Sequence, residues 1–238
     1  MPTHNVAKLL KGNKKRWYQS EKNSAALLQA VVSARSGKPL SGDDIWQLLR
    51  LTWSTHSADR GHWRILKVPA LLHLFPQSNS VQKPSRDSAL QEVLDGMSLP
   101  RRVAEAAVKP TGNVHLRTAW WNSSRDWCDR NKPRLREIIG EAANLQANDR
   151  GRLALAVKID TLPKVPTPKG ARHKSPGDIL TPLVAFLDPH SRFPIVNGRK
   201  GVQALLGKLG LRERNLKEQV RGMTGLIGRF GISTSETP

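Results

Sequence analysis

Apolar positions recur at helical spacing in several separate stretches of the chain. In residues 20–37, "SEKNSAALLQAVVSARSG", they lie three or four residues apart, and Gly37 follows where a glycine often ends a helix. The next stretch, "SGDDIWQLLRLTW", begins with Ser41, whose hydroxyl can accept a hydrogen bond from the amide of Asp44. Both stretches therefore predict helices with defined ends.

The second half of the chain follows the same period. Residues 132–145 predict a helix that starts at Pro133, residues 149–162 predict another, and residues 176–230 read as three helices. No Asn-Gly turn is flanked by two alternating apolar runs, so strands lack support. The sequence predicts a mainly α-helical, multi-helix globular protein.

Breaks in the pattern suggest an organisation in segments. Residues 1–19 are polar and basic and predict an N-terminal arm, and "PTGN" interrupts the helices near residue 110. We expect an N-terminal helical subdomain over 20–110 and a C-terminal helical subdomain over 111–238. A Pro/Lys-rich connector is expected within the second one, over 162–176.

The charge balance is the strongest single property of the chain. It carries 39 Lys and Arg against 19 Asp and Glu, a formal net charge of +20. Solubility alone needs a net charge of only about 2–8, and a compact domain with a larger charge repels itself. A basic surface kept for solubility is the simpler explanation, but the charge favours an anionic partner. Nucleic acid is favoured over an anionic membrane.

Several classes of protein are disfavoured. Cys128 is the only cysteine, so one chain can form no disulfide and no cysteine-based zinc site. The N-terminus has no apolar core of a secretory signal, and no run of about 18 apolar residues could span a membrane. A phosphate-binding Gly-x4-Gly-Lys-Ser/Thr loop is also missing. We expect a cytoplasmic protein that needs no cofactor.

Two clusters of polar residues are candidates for a reactive site. His56, Asp59 and His62 could be metal ligands, but their spacing matches no helical metal motif, so polar loop residues are the better interpretation and no metal is expected. Lys158 and Asp160 suggest a metal-dependent nuclease, together with nearby acids, but their order is reversed from the usual one. The sequence therefore identifies no catalytic residue.

Cations and aromatic residues cluster in four regions, as nucleic-acid binding requires. These are the N-terminal arm, "RTAWWNSSRDW" (117–127), the connector and the C-terminal helices. A helix starting at Asn197 would point its amides outward, where they could hold a phosphate. The candidate nucleic-acid-binding residues are Lys14, Lys15, Arg16, Trp17, Arg117, Lys169, Arg172, Lys174, Asn197, Arg199, Lys200, Arg212 and Arg214.

Residues 161–211 also carry a resemblance. "TLPKVPTPKG" followed by "SPGDILTPLVAFLDPHSRFPIVNGRKGVQALLGKLGL" resembles the helix-hairpin-helix DNA glycosylase superfamily, with Val196 and Leu209-Gly210-Leu211 matching its active-site segment. The "LDP" and "FPIVN" pattern is also similar to helical segments of restriction-system proteins. Asn197 stands where the superfamily has its acid, and "LPKVP" replaces the glycine-containing hairpin. The resemblance therefore implies DNA binding more than base excision.

Three hypotheses follow from the sequence. The first is a non-catalytic protein whose basic face contacts the backbone of duplex DNA. The second is a DNA-processing enzyme, either a nuclease of a restriction or mobile-element system or a divergent DNA glycosylase. The third is an RNA-binding protein, since both nucleic acids present phosphates. DNA is favoured over RNA, and a protein partner or a homo-oligomer is compatible with the sequence.

Overall fold

Helices make up most of the described chain. The computed structural model describes residues 4–5, 11–53, 63–76, 89–112, 118–167, 174–196, 199–211, 214–230 and 232–233. Its helices are α1 (Asn13–Ala34), α2 (Gly42–Thr52), a π-helix (Trp63–Lys67) that continues into α3 (Val68–Leu74), α4 (Leu90–Asp95), α5 (Arg101–Ala107), α6 (Thr118–Arg130), α7 (Lys132–Ala143), α8 (Asp149–Asp160), α9 (Gly177–Leu187), α10 (Arg199–Lys208) and α11 (Leu216–Arg229). Two short strands, β1 (His4–Asn5) and β2 (Ile232–Ser233), pair in parallel. The predicted mainly α-helical, multi-helix fold is confirmed.

Helix α9 forms the centre of the core. Every residue of α9 except Asp178 is buried, and the helix packs against α1, α2, α7 and α8. A helix that is apolar on all sides has to be enclosed by others, which explains this position. Helical spacing places Ile179, Leu183, Phe186 and Leu187 on one face of α9, and all four are buried. The burial also extends around the whole helix.

Local sequence signals set several of the other helices. The Ser41 hydroxyl accepts from the Asp44 amide at 3.0 Å, and the Asp44 carboxylate accepts from the Ser41 amide at 2.7 Å, so α2 begins with the predicted cap. Trp46 and Trp53 are buried, as core packing requires, and the Trp53 indole donates to the Ile179 carbonyl at 3.3 Å. The predicted inward residues of α7 are buried as well: Leu135, Ile138, Ile139 and Ala142.

The predicted N-terminal arm is too long at its C-terminal end. Helix α1 begins at Asn13, so seven of the nineteen residues assigned to the arm belong to a helix. The first turns of α1 carry Lys15, Arg16 and Trp17, all exposed, and therefore show no buried apolar stripe. The periodicity that predicts helices is missing there because these side chains face solvent.

The predicted subdomains share one hydrophobic core. Helix α2 packs against α6, and α1 packs against both α5 and α9, so helices from both sides of residue 110 are in contact. The approach is close at Gly42, where an added Cβ would lie 2.6 Å from the Asp129 Cα. Helices from both predicted subdomains therefore contribute to the same core.

A fully buried ion pair joins α8 to the end of α9. The Arg152 guanidinium donates to both carboxylate oxygens of Asp188, with N–O distances of 2.9 and 3.0 Å. Its remaining nitrogen donates to the carbonyls of Gln146 and Asn148. Asp188 also accepts the amide of His190 at 3.0 Å and a second amide from residue 192. Both charges are thus fully hydrogen-bonded, which a buried pair requires.

We expect Arg152→Met to lower the free energy of unfolding by about 3–5 kcal/mol, because it leaves the Asp188 carboxylate buried without its counter-charge. Arg134→Met is the matched control, since Arg134 also donates to a carbonyl but is exposed. The control should cost no more than about 0.5 kcal/mol. Denaturant unfolding followed by tryptophan fluorescence measures both, and equal costs would contradict the assignment.

Candidate nucleic-acid interface

Many of the cations are used inside the fold. Guanidinium groups cap backbone carbonyls: Arg35 donates to Leu74 at 2.5 Å, and Arg192 donates to Ala147 at 2.6 Å. The buried Lys67 ammonium donates to the Ala107 carbonyl at 3.0 Å, and burial lowers the pKa of Lys67 to about 7. This part of the positive charge stabilises the ends of helices and loops and cannot serve a partner.

Most acids of the described segments are engaged internally as well. Asp44 bonds Arg35, Asp43 bonds Arg125, and Asp129 bonds Lys132. Further acids form ion pairs or accept amides at helix starts: Glu105, Glu137, Glu141, Asp160, Asp178, Asp188 and Glu218. The carboxylates are therefore largely taken up within the fold.

A second group of cations points outward. Their exposed side chains form no ion pair or hydrogen bond in the described structure. They are Lys11, Lys15, Arg16, Lys38, Arg102, Lys109, Arg150, Lys164, Lys200, Lys208, Arg214, Arg221 and Arg229. We call these the outward cations, and they are the part of the charge that is available to an anion.

The two ends of the chain meet. In the parallel pairing of β1 with β2, His4 lies opposite Ile232 and Asn5 lies opposite Ser233. Eight residue steps separate Asn5 from the start of α1, a reach of at most about 28 Å. The basic start of α1 therefore lies within that reach of β1, and β1 is paired with β2, which begins three residues after the end of α11. The first and the fourth predicted regions thus meet at this pairing.

The second and third predicted regions are also adjacent. The Ser123 hydroxyl of α6 donates to the Pro166 carbonyl at 3.2 Å, and the Trp127 indole donates to the Pro163 carbonyl at 3.0 Å. The connector is closed at its ends, because the Val165 amide donates to the Lys174 carbonyl at 3.0 Å. The first part of the connector thus lies on α6.

Asp160 attaches the C-terminal helices to the rest of the fold. Its carboxylate accepts the amides of Leu216 at 2.7 Å and Lys217 at 3.3 Å, at the start of α11. Helix α11 packs against α8, and α10 packs against α11. We call residues 199–230, which comprise α10, α11 and Phe230, the C-terminal lobe.

The candidate residues divide into three groups. Lys15, Arg16, Trp17, Lys200 and Arg214 are exposed, and Trp17 shows 49% of its surface. Lys14 and Arg199 lie in α1 and α10, and Lys174 is half-buried. The other predicted residues lie outside the described part of the chain: Arg117, Lys169, Arg172, Asn197 and Arg212.

Two residues of the "RTAWWNSSRDW" region have structural roles. Both oxygens of the Asp43 carboxylate accept from Arg125, at 2.6 and 2.5 Å, and the Arg125 guanidinium lies 5.2 Å from the Trp46 ring centroid. Trp127 is buried in the core. The mixture of arginine and tryptophan there partly reflects packing between α2 and α6.

Lys158, a candidate catalytic residue, is paired within the fold, and the thiol of Cys128 is buried. The Lys158 ammonium contacts Glu137 at 2.6 Å and also Glu141, and these hydrogen bonds raise the pKa of Lys158. Burial raises the pKa of the Cys128 thiol to about 12, which keeps it protonated. Within the described ranges, no three His, Cys, Asp or Glu side chains are grouped to hold a metal. The cluster at residues 56–62 lies outside those ranges.

The exposed apolar side chains of the C-terminal lobe were not predicted. Leu205, Leu209 and Phe230 are exposed, although apolar periodicity alone would place them in a core. Leu205 and Leu206 are adjacent in α10, so they point to different sides of the helix, and only Leu206 is buried. This difference in position was the sequence signal that could have predicted the exposure of Leu205. Outward cations such as Arg102 and Arg150 were also missed, because a single cation on a helix has no pattern.

Comparisons with protein families, with curated proteins and with solved structures give no match for this chain. Among the described helices, none combines the length and the apolar character needed to cross a bilayer. The function is therefore inferred from the exposure, charge and contacts of the side chains in this chain.

Asp160→Ala should loosen the C-terminal lobe. A carboxylate at the end of α8 is unfavourable for that helix but favourable at the start of α11, where it accepts two amides. By analogy with helix caps, we expect a loss of about 0.5–2 kcal/mol, with faster hydrogen exchange of the α11 amides. Asp149→Ala, an exposed acid at the other end of α8, is the control and should leave α11 exchange unchanged. Unchanged exchange in both variants would contradict this role.

We expect the free energy of unfolding to depend on pH because of the Glu21 carboxyl. Burial raises the pKa of this carboxyl to about 7, and Glu21 forms no hydrogen bond or ion pair with the described residues. Between the unfolded and the native pKa the native state binds more protons, so stability falls as pH rises through this window. Glu21→Gln should therefore raise the melting temperature above pH 7, and the gain should vanish below about pH 4.5. Glu105→Gln, an exposed paired acid, is the control, and a gain independent of pH would contradict the assignment.

Proposed function

We propose that the protein binds nucleic acid, with duplex DNA favoured over RNA, through contacts to the phosphate backbone. One observation carries the proposal: within the described segments the outward cations form no ion pair, while most of the acids there are engaged inside the fold. Such an arrangement does not neutralise itself. It leaves a surface whose counter-charge has to come from another molecule or from salt.

A polyanion suits this surface better than a small anion does. Duplex DNA carries one charge for about each 1.7 Å of its axis, and cations that replace its condensed counterions gain free energy from their release. The outward cations are spread over several helices and are not gathered around one pocket. Spread cations match an extended chain of phosphates.

The contacts between the basic regions support a continuous surface. Helix α6 contacts the connector, the connector follows Asp160 in the chain, and Asp160 accepts amides at the start of α11 within the C-terminal lobe. Strand β2 begins two residues after the lobe, and its pairing with β1 leads back to α1. All four predicted regions are thus linked in one series of neighbours.

The alternatives have less support. A nuclease built on Lys158 and Asp160 would need side chains that α7 and α11 already occupy. A divergent glycosylase, implied by the resemblance of residues 161–211, would have Asn197 at the position of its acid, and an amide cannot act as a carboxylate. RNA binding would use the same phosphate contacts, so only competition between duplex DNA and duplex RNA for the protein separates it from DNA binding. A cytoplasmic binding protein, alone or with a partner, is therefore the proposal.

The test measures binding of the full chain to duplex DNA, single-stranded DNA and duplex RNA by fluorescence anisotropy across a series of salt concentrations. We expect the logarithm of the affinity for duplex DNA to fall linearly with the logarithm of salt, with a slope of about −0.9 for each phosphate contacted. The products are then run on a denaturing gel. A flat salt response or no binding overturns the proposal, and cleaved or alkali-labile DNA assigns the protein to the enzymes.

Two matched variants locate the surface. Lys15→Gln should reduce the salt slope by about 0.9, because one phosphate contact is lost. Lys38 is also an outward cation, but it lies beyond the other end of α1, a helix of 22 residues and therefore about 33 Å long, and the interface proposed at the start of α1 and in the C-terminal lobe does not include it. Lys38→Gln removes the same charge there. It should change the slope little. Equal effects of the two variants would indicate a response to net charge and no defined interface at the start of α1.

A further inference from the structure

The C-terminal lobe exposes large apolar side chains. Leu205, Leu209, Leu211 and Phe230 show 46%, 51%, 38% and 64% of their surfaces. They are four of the seven large apolar residues that are exposed within the described chain. So many exposed apolar side chains in one segment of a highly charged protein indicate a contact surface.

The exposure follows from the way α11 is covered. Its apolar side starts with Leu216 and Val220, which are buried where α11 packs against α8. The same side continues one and two turns later with Met223 and Ile227, which are only half-buried, and ends at the exposed Phe230. The apolar side of α11 is therefore longer than the part of the fold that covers it.

Cations are frequent in the same segment. The lobe, residues 199–230, holds eight Lys and Arg against two Glu. The Glu218 carboxylate accepts amides at the start of α11, and these hydrogen bonds lower the pKa of Glu218. Lys208, Arg221 and Arg229 are exposed and form no ion pair in the described structure. A second copy of this lobe would be repelled, so the partner has to be an anion.

The partner must also offer apolar surface, which phosphate alone does not. Nucleic acid supplies both, since phosphates lie beside the faces of the bases, and apolar side chains can insert between base steps and bend a duplex. A helix that binds a lipid surface has a broad apolar face. Along α10 and the two residues that follow it, the large apolar residues that are exposed are only Leu205 and Leu209, next to Lys208.

We propose that the C-terminal lobe is a wedge for duplex DNA, in which the cations bind phosphates while Leu209 and Phe230 insert between base steps and bend the duplex. This inference rests on the proposed nucleic-acid binding and assigns one mode of contact to it. The insertion of apolar side chains requires unstacking, so the bound duplex must differ in shape from the free one.

The experiment measures energy transfer between dyes at the two ends of a short duplex, together with affinity by anisotropy. The wild-type protein should shorten the distance between the ends. The variant Leu209→Ala/Phe230→Ala should lose the bend and bind at least about tenfold more weakly, since base contacts are lost. Its salt slope should be unchanged, because the phosphate contacts remain.

Ile65→Ala is the matched control, because Ile65 is 56% exposed but lies in the π-helix, outside the lobe. It should bend and bind DNA as the wild type does. Circular dichroism checks that all variants keep their helical content, as expected for exposed side chains. A weaker salt slope in Leu209→Ala/Phe230→Ala would assign its loss to phosphate contacts and overturn the wedge.

The remaining outcomes separate this inference from the proposed function. Wild-type binding without bending, or equal bending by Leu209→Ala/Phe230→Ala, overturns the wedge and leaves nucleic-acid binding intact. Absence of any DNA binding by the wild type overturns both. Binding to phosphatidylserine vesicles that requires Leu209 and Phe230, without a DNA bend, assigns the lobe to lipid. A wild-type dimer that Leu209→Ala/Phe230→Ala converts to a monomer in sedimentation assigns it to self-association.

Discussion

The buried ion pair between Arg152 and Asp188 is the constraint on which the rest of the arrangement depends. Asp188 ends the central helix α9, and Arg152 belongs to α8, so their two hydrogen bonds fix α8 against the core. The other end of α8 carries Asp160, which holds the start of α11. The position of the C-terminal lobe is therefore set by a pair of charges that the solvent does not reach. Breaking such a pair costs far more than breaking one at the surface.

The positive charge of the chain divides into two roles with different physics. Inward cations such as Arg35 and Lys67 donate to carbonyls and stabilise local structure, where each hydrogen bond replaces one to water. Outward cations such as Lys200 and Arg150 form no ion pair with the described residues and raise the self-repulsion of the fold. The proposed binding of a polyanion would relieve this repulsion. Counting the net charge alone hides this division, because both groups contribute equally to it.

Helices with an apolar stripe or a cap could be predicted from the sequence, as α2 and α7 show. The start of α1 could not, because Lys15, Arg16 and Trp17 face solvent and leave no periodic trace. Long-range partners were equally hidden. Asp160 looks like a candidate metal ligand in its own stretch, and only the fold shows that it accepts amides 56 residues later in the chain. The net charge can be read from the composition, but which cations are engaged within the fold depends on these contacts.

The most direct test of the central claim is lysine acetylation of the full chain with and without saturating duplex DNA, read by mass spectrometry. We expect bound DNA to protect Lys15, at the start of α1, and Lys200 and Lys208, in the C-terminal lobe, strongly from acetylation. Lys38, which is equally exposed but lies beyond the far end of α1, should react at an unchanged rate. Protection of Lys38 to the same extent, or protection of none of these lysines, would contradict the claim that the outward cations of the joined ends form the interface.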